Sequence, residues 1–175
     1  RFATQQALDK AGATGSDILC VGIDHEGESV MVWDKVTGRP VYNAIVWQDR
    51  RTTAEAEALS ASHGRLIRQR TALMVDSYFS ALKVQWLLRN VPEAGELLAQ
   101  GRLLCGTMDC WLVWKMTGGA VHATDTSTGS RTMLMNLDTL TWNEEIAAEM
   151  GIPMSMLPEI RSSSEVYGYG RLGGM

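Results

Sequence analysis

The sequence predicts one α/β or α+β domain, on three observations: an unbroken apolar run of strand length, a breaker-rich hairpin, and several segments with apolar residues at helical spacing. A chain of 175 residues is long enough to bury one sizeable core, and no linker, low-complexity tract or internal repeat divides it.

Residues 2–10 are helix-compatible and stop at Gly12, because glycine accepts the left-handed conformation that ends helices. Residues 18–23, ILCVGI, read as a central strand buried on both faces. Residues 30–33 and 41–47 are strand-like, and the turn residues between them, among them Asp34, Gly38 and Pro40, predict a hairpin. On its second strand Val41, Asn43, Ile45 and Trp47 share one face by the two-residue period. Trp47 therefore emerges at the strand end beside Gln48 and Asp49.

Alanine and glutamate favour a helix over residues 52–61, and a second short one follows Gly64 over 65–73. Phe79, Leu82, Trp86 and Leu87 share one side of a helix that Asp76 or Ser77 caps and Pro92 ends. Cys105, Met108, Leu112, Val113 and Met116 recur at helical spacing up to Gly118-Gly119. A polar loop over 124–130, a short strand over 132–135 and a helix over 143–150 complete the pattern, and Pro153 and Pro158 break the chain after it.

A net charge of −4 leaves no basic surface to neutralise a phosphate backbone, which argues against a nucleic-acid partner. No run approaches the roughly 20 apolar residues of a membrane span, and the first residues lack a signal-peptide pattern, so the expected setting is cytoplasmic. Cys20, Cys105 and Cys110 lie among apolar residues and read as buried free thiols in a reducing compartment. His25, His63 and His122 have no metal-ligand spacing, so no metal site is expected in the chain, nor a Ser-His-Asp constellation.

Residues 168–173 spell G-x-G-x-x-G, yet no helix follows to receive a phosphate, and a plain loop is expected. Trp86, Trp111 and Trp114 read as packing residues, and Arg50-Arg51 as a helix-start pair, solvated or tied to Asp49. The chain begins at Arg1 and stops just after Gly173-Gly174, which reads as part of something longer.

The stretch VYNAIVWQDRRT over residues 41–52 and the stretch YFSALKVQWLLRN over 78–90, with Lys83 and Trp86 at fixed places, resemble the FGGY carbohydrate kinases, and among them the glycerol kinases. Gly106-Thr107-Met108-Asp109 with Trp111 and Trp114, then Ser130-Arg131-Thr132-Met133-Leu134, residues 156–159 and residues 163–168, continue the resemblance over nearly the whole chain.

The resemblance implies an actin-like kinase of two ribonuclease-H-like domains, of which residues 1–175 form most of the first, substrate-binding one. It implies transfer of the ATP γ-phosphoryl, with Mg2+, to a hydroxyl of a small polyol or sugar, glycerol first. The phosphate loop, the catalytic aspartate and the C-terminal nucleotide domain fall outside the matched region, so no catalytic residue is expected here and ATP and Mg2+ are bound mainly elsewhere. The resemblance is compatible with a homo-oligomer.

Three substrate-binding residues carry over from it. Glu28 matches a glutamate that accepts hydrogen bonds from substrate hydroxyls, a surface carboxylate being the plainer alternative. Trp47 matches an indole that covers the polyol carbons, and otherwise packs in the core. Tyr78 matches a phenol that meets a hydroxyl, and otherwise packs or caps at a helix start.

One position departs from the family. An arginine is expected immediately before Glu28, but the chain reads His25-Glu26-Gly27-Glu28. Its absence removes a guanidinium donor and opens space for a larger ligand, with His25 or Glu26 as candidate replacements. A kinase for another polyol or ketose, and a silent polyol-binding fragment, are therefore the alternative readings. A dinucleotide-binding protein, resting on the terminal glycines alone, is the third.

Overall fold

Helix α1 (Phe2–Ala11) ends where glycine was expected to end it, with Gly12 at φ 62°. The computed structural model describes residues 2–170, so the G-x-G-x-x-G stretch lies partly outside the described residues. Strand β1 (Val30–Asp34) is the centre of the fold and is buried over its whole length. Its alternation serves two cores: Val30 and Val32 join the large cluster, whereas Met31 and Trp33 join a smaller one with Cys110 and Trp114.

Two further expectations change here. Residues 18–23 form no strand: Leu19 is 99% exposed and Ile18 and Val21 are exposed too. Among the described residues no neighbouring strand takes up their backbone groups, and an apolar run becomes a sheet strand only beside a partner. The two-sided burial belongs to β1 instead. Cys20 is accordingly exposed, while Cys105 and Cys110 are buried.

The chain does turn back after β1, but residues 40–45 touch it only through the bridges Trp33 to Pro40 and Val30 to Ile45. The full antiparallel partner of β1 is β2 (Leu103–Thr107), a strand not foreseen in the sequence. Cys105 therefore sits in a strand. The helical spacing counted from it runs across a strand–helix junction into α5 (Met108–Met116), where Gly118 (φ 65°) and Gly119 (φ 88°) end the helix. Gly106 lets α5 approach: a Cβ there would lie 2.6 Å from Cys110 Sγ and 2.7 Å from its Cβ.

Helix α2 (Thr53–Thr71) passes straight through Gly64, where two helices were expected. A helical glycine costs only about 1 kcal/mol, which packing of Ala56 and Ile67 offsets. Helix α3 (Ser80–Asn90) sends Ala81, Leu82, Val84 and Leu87 into the large core. Pro92 does not merely stop it, but opens α4 (Pro92–Ala99) at the first helical turn, where its missing N–H leaves no bond unmade.

Residues 123–136 are more structured than a polar loop. Strand β3 (Ala123–Asp125) leads into the one-turn α6 (Thr126–Gly129), and the expected strand shrinks to β4 (Met135–Asn136), paired with β5 (Thr141–Trp142). Helix α7 (Glu144–Glu149) is capped by Asn143, whose side chain accepts from the Ile146 N–H at 2.9 Å. Strand β6 (Glu159–Arg161) closes the order by pairing parallel with β3. No helix among the described residues is long and apolar enough to cross a membrane.

Candidate functional site

The site forms where the entrance to β1 meets the start of α3. The Ser80 hydroxyl donates to the Glu28 carbonyl at 3.0 Å, and the Ser29 hydroxyl accepts from the Trp47 N–H at 3.3 Å. These bonds fasten residues distant in sequence. Trp47 and Tyr78 then face one another with ring centroids 5.4 Å apart. Both line a cavity of about 540 Å³ together with Gln48, Arg50, Asp76 and Phe79.

The turn that carries Tyr78 is held from beneath. Asp76 Oδ1 accepts from the Tyr78 N–H at 2.8 Å, so Asp76 braces this turn and does not cap α3, whose first residue is preceded by Phe79 with no side-chain cap. The buried Lys83 Nζ donates to the carbonyls of Ser77 at 2.6 Å and Tyr78 at 2.7 Å. Burial pulls the Lys83 ammonium down to about 8, against the favourable charges of Asp49, Glu28 and Asp76.

The neighbouring stretch is braced equally. Arg51 grips Asp49 through Nε at 2.9 Å and a terminal nitrogen at 2.8 Å, which holds the Asp49 carboxyl at about 2. The same guanidinium lies 4.4 Å from the Trp86 ring centroid, so Trp86 is half-buried beneath a cation. Arg51 is tied to Asp49, one of the two expectations for it.

Glu28 is brought to the same corner but does not line the cavity. It is buried, and its Oε1 accepts from Arg131 Nε at 2.7 Å. Arg131 comes from the segment after α6 and sets its guanidinium 5.9 Å from the Tyr78 ring centroid and 5.1 Å from that of Phe79. Sequence reasoning missed it. A separation of 103 residues leaves no spacing signal, and only its place in the Ser130-Arg131-Thr132-Met133-Leu134 stretch marked it at all.

The candidate replacements for the missing arginine point elsewhere. His25 Nδ1 lies 3.0 Å from the Glu26 carbonyl, and Nε2 lies 3.2 Å from Thr128 Oγ1 and 3.5 Å from Asp109 Oδ1. Glu26 accepts from the Ser29 hydroxyl at 2.8 Å. Asp109 explains its own motif: its two oxygens accept from the hydroxyls of Thr107 (2.5 Å) and Thr124 (2.6 Å), which pins the start of α5 to β3.

An indole face, a phenol and a carboxylate–guanidinium pair suit a small, neutral, hydroxyl-rich ligand. The Tyr78 hydroxyl and the Trp47 indole N–H have no hydrogen-bond partner among the described residues. Among those residues no group of three or more His, Cys, Asp or Glu converges to hold a metal ion, so none is assigned to magnesium.

The sequence profile of the N-terminal domain of the FGGY family of carbohydrate kinases matches residues 2–172. A glycerol kinase of Chromobacterium violaceum is 53% identical over 165 residues, covering 94% of this chain and 33% of that protein. The chain thus spans about a third of the length of the curated relatives it matches. The crystal structure of Plasmodium falciparum glycerol kinase with ADP superposes with a TM-score of 0.89 at 35% identity, over 98% of this chain and 34% of that one. A ligand-bound xylulose kinase of Lactobacillus acidophilus, 20% identical, shares the fold with a TM-score of 0.71 over 82% of this chain and 28% of its own.

Proposed function

Because the chain belongs to the FGGY family of carbohydrate kinases, as an N-terminal domain of it, we propose that it is the substrate-binding part of a kinase that transfers the ATP γ-phosphoryl to a small polyol, glycerol first. The observation that carries this reading is the facing pair Trp47 and Tyr78 on one cavity, with the Glu28–Arg131 ion pair beside Tyr78 and Phe79. Glycerol is favoured over larger polyols and ketoses by the curated relatives, which are glycerol kinases at 50–53% identity.

In this reading the Trp47 ring covers the carbon backbone of the polyol, since CH groups gain most from an apolar, polarizable face. The Tyr78 phenol and the Glu28 carboxylate take substrate hydroxyls, which fixes the orientation of the reacting one. Lys83 and Asp76 hold Tyr78 in register. ATP and Mg2+ are held mainly by parts outside this chain, as are the phosphate cradle and the carboxylate base that phosphoryl transfer needs. The two buried free thiols suit a cytoplasmic, reducing setting.

The test is an ADP-release assay on the full-length protein with glycerol, a panel of tetritols and pentitols, and ketoses. Glycerol should have the highest kcat/KM. A pentitol or ketose preferred over it by tenfold or more overturns the substrate, and absence of turnover with every member overturns the enzyme.

A further inference from the structure

Arg131, paired with Glu28 beside the pocket, keeps part of its hydrogen-bonding capacity unused. Arg131 uses only Nε on Glu28, and its two terminal nitrogens have no hydrogen-bond partner among the described residues. Its side chain is 41% exposed, whereas that of Glu28 is 9% exposed. A guanidinium that needed only charge compensation would turn its two-pronged edge to the carboxylate, because the bidentate geometry is the stronger one. Here one edge is kept open. It lies beside the rings of Tyr78 and Phe79, two residues that line the cavity, although Arg131 itself does not line it.

Gly27 packs directly against Arg131. A Cβ at residue 27 would lie 3.6 Å from Arg131 Cγ and 3.9 Å from its Cβ, in ordinary contact, so a long side chain there would have to share the space in which Arg131 runs. Neither His25 nor Glu26 enters this space, since both are bonded elsewhere.

We infer that Arg131 is a substrate-binding residue, a guanidinium donor at the Glu28 side of the pocket, acting with Glu28 to recognise two adjacent hydroxyls of the substrate; this rests on the polyol-kinase reading above. Each hydroxyl is both donor and acceptor. The open nitrogens of Arg131 donate to hydroxyl oxygens, and the second oxygen of Glu28 accepts from one of the hydroxyls. An arginine introduced at position 27, whose Cβ would touch Arg131 Cγ and Cβ, would bring the same chemical group to this corner.

The experiment compares wild type, Arg131→Gln, Arg131→Lys and the double variant Gly27→Arg/Arg131→Gln in the full-length protein. Arg131→Gln should raise KM for glycerol by ~10- to 100-fold, the size expected when charge-assisted hydrogen bonds are lost, with KM for ATP and thermal stability little changed. Arg131→Lys should fall between, keeping the charge but not the fork, and the double variant should recover part of the glycerol KM. An unchanged glycerol KM in an active Arg131→Gln enzyme overturns this inference alone. So does a KM for ATP that rises in parallel with a lowered melting temperature, which would make Arg131 structural. A double variant with no recovery overturns the equivalence of the two positions. A wild type that neither phosphorylates nor binds any polyol removes both this inference and the function it rests on.

Discussion

Trp47 and Tyr78 lean toward one another with ring planes inclined at 59° and centroids 5.4 Å apart, one ring from the turn after the Val30–Ile45 bridge and the other from the turn before α3. Replacing the indole removes the apolar floor without touching any hydrogen bond of the turn. Trp47→Ala should raise KM for the polyol about tenfold, as loss of ~1.4 kcal/mol of contact would do, and leave KM for ATP in place. Trp47→Phe should lose less. A polyol KM unaffected by Trp47→Ala would return this residue to the role of core packing.

Lys83 gives a prediction in pH. Its folded value, about 8, lies below its ordinary 10.5, so between those values the unfolded chain holds the proton more firmly than the folded one. Stability contributed by this residue therefore rises with pH across that window, by at most about 1.4 kcal/mol per unit. Deprotonation leaves the amine two N–H donors for its two carbonyls, so the turn survives. Urea unfolding at pH 7 to 10 should show wild type gaining on Lys83→Met as pH rises past 8. A difference independent of pH would mean that the ammonium stays charged.

At Gly106 the prediction is steric. An added methyl would lie within 2.7 Å of both Cys110 Cβ and Sγ and 3.2 Å from the Trp33 ring. Gly106→Ala should lower stability by about 2–3 kcal/mol or more, measured by chemical denaturation. Removing the sulfur with Cys110→Ala should rescue only part, because the Cβ clash persists. Full rescue would show that the backbone of β2 shifts freely.

Asp109 accepts one hydroxyl on each oxygen, and an amide can accept on only one. Asp109→Asn should cost about 1–3 kcal/mol, and adding Thr124→Val should make the loss smaller than the sum of the two single changes. Strict additivity in that cycle would show that Asp109 and Thr124 do not communicate.

These residues differ in how plainly the sequence announced them. Trp47 was legible from the stretch over residues 41–52 that resembles the family, whereas the two-residue period did not hold: residues 41–47 form only an isolated bridge at Ile45, and Asn43 is exposed. Strand β2 was hidden by coincidence: Cys105 and Met108 stand three apart, which mimics a helical face across a junction where the backbone changes conformation. The chain of α2 through Gly64 shows tertiary packing overriding a local preference of about 1 kcal/mol. Lys83 stood at a motif position, but helical spacing cannot say that its ammonium reaches back beneath the preceding turn. Arg131 was least accessible, because closing a loop of 103 residues is a property of the whole topology and of no local pattern.

The uncovered run of residues 18–23 carries a consequence for the behaviour of this chain in concentrated solution. Ile18, Leu19 and Val21 present bare aliphatic surface on a stretch whose backbone N–H and C=O groups are not engaged in a ladder, which is the template that strand addition between molecules requires. Association of this domain with itself, as distinct from its folding stability, is therefore favoured by the exposed aliphatic side chains of this run, none of which lines the cavity. A single lysine at Leu19 should lower light scattering without altering any contact described for the site.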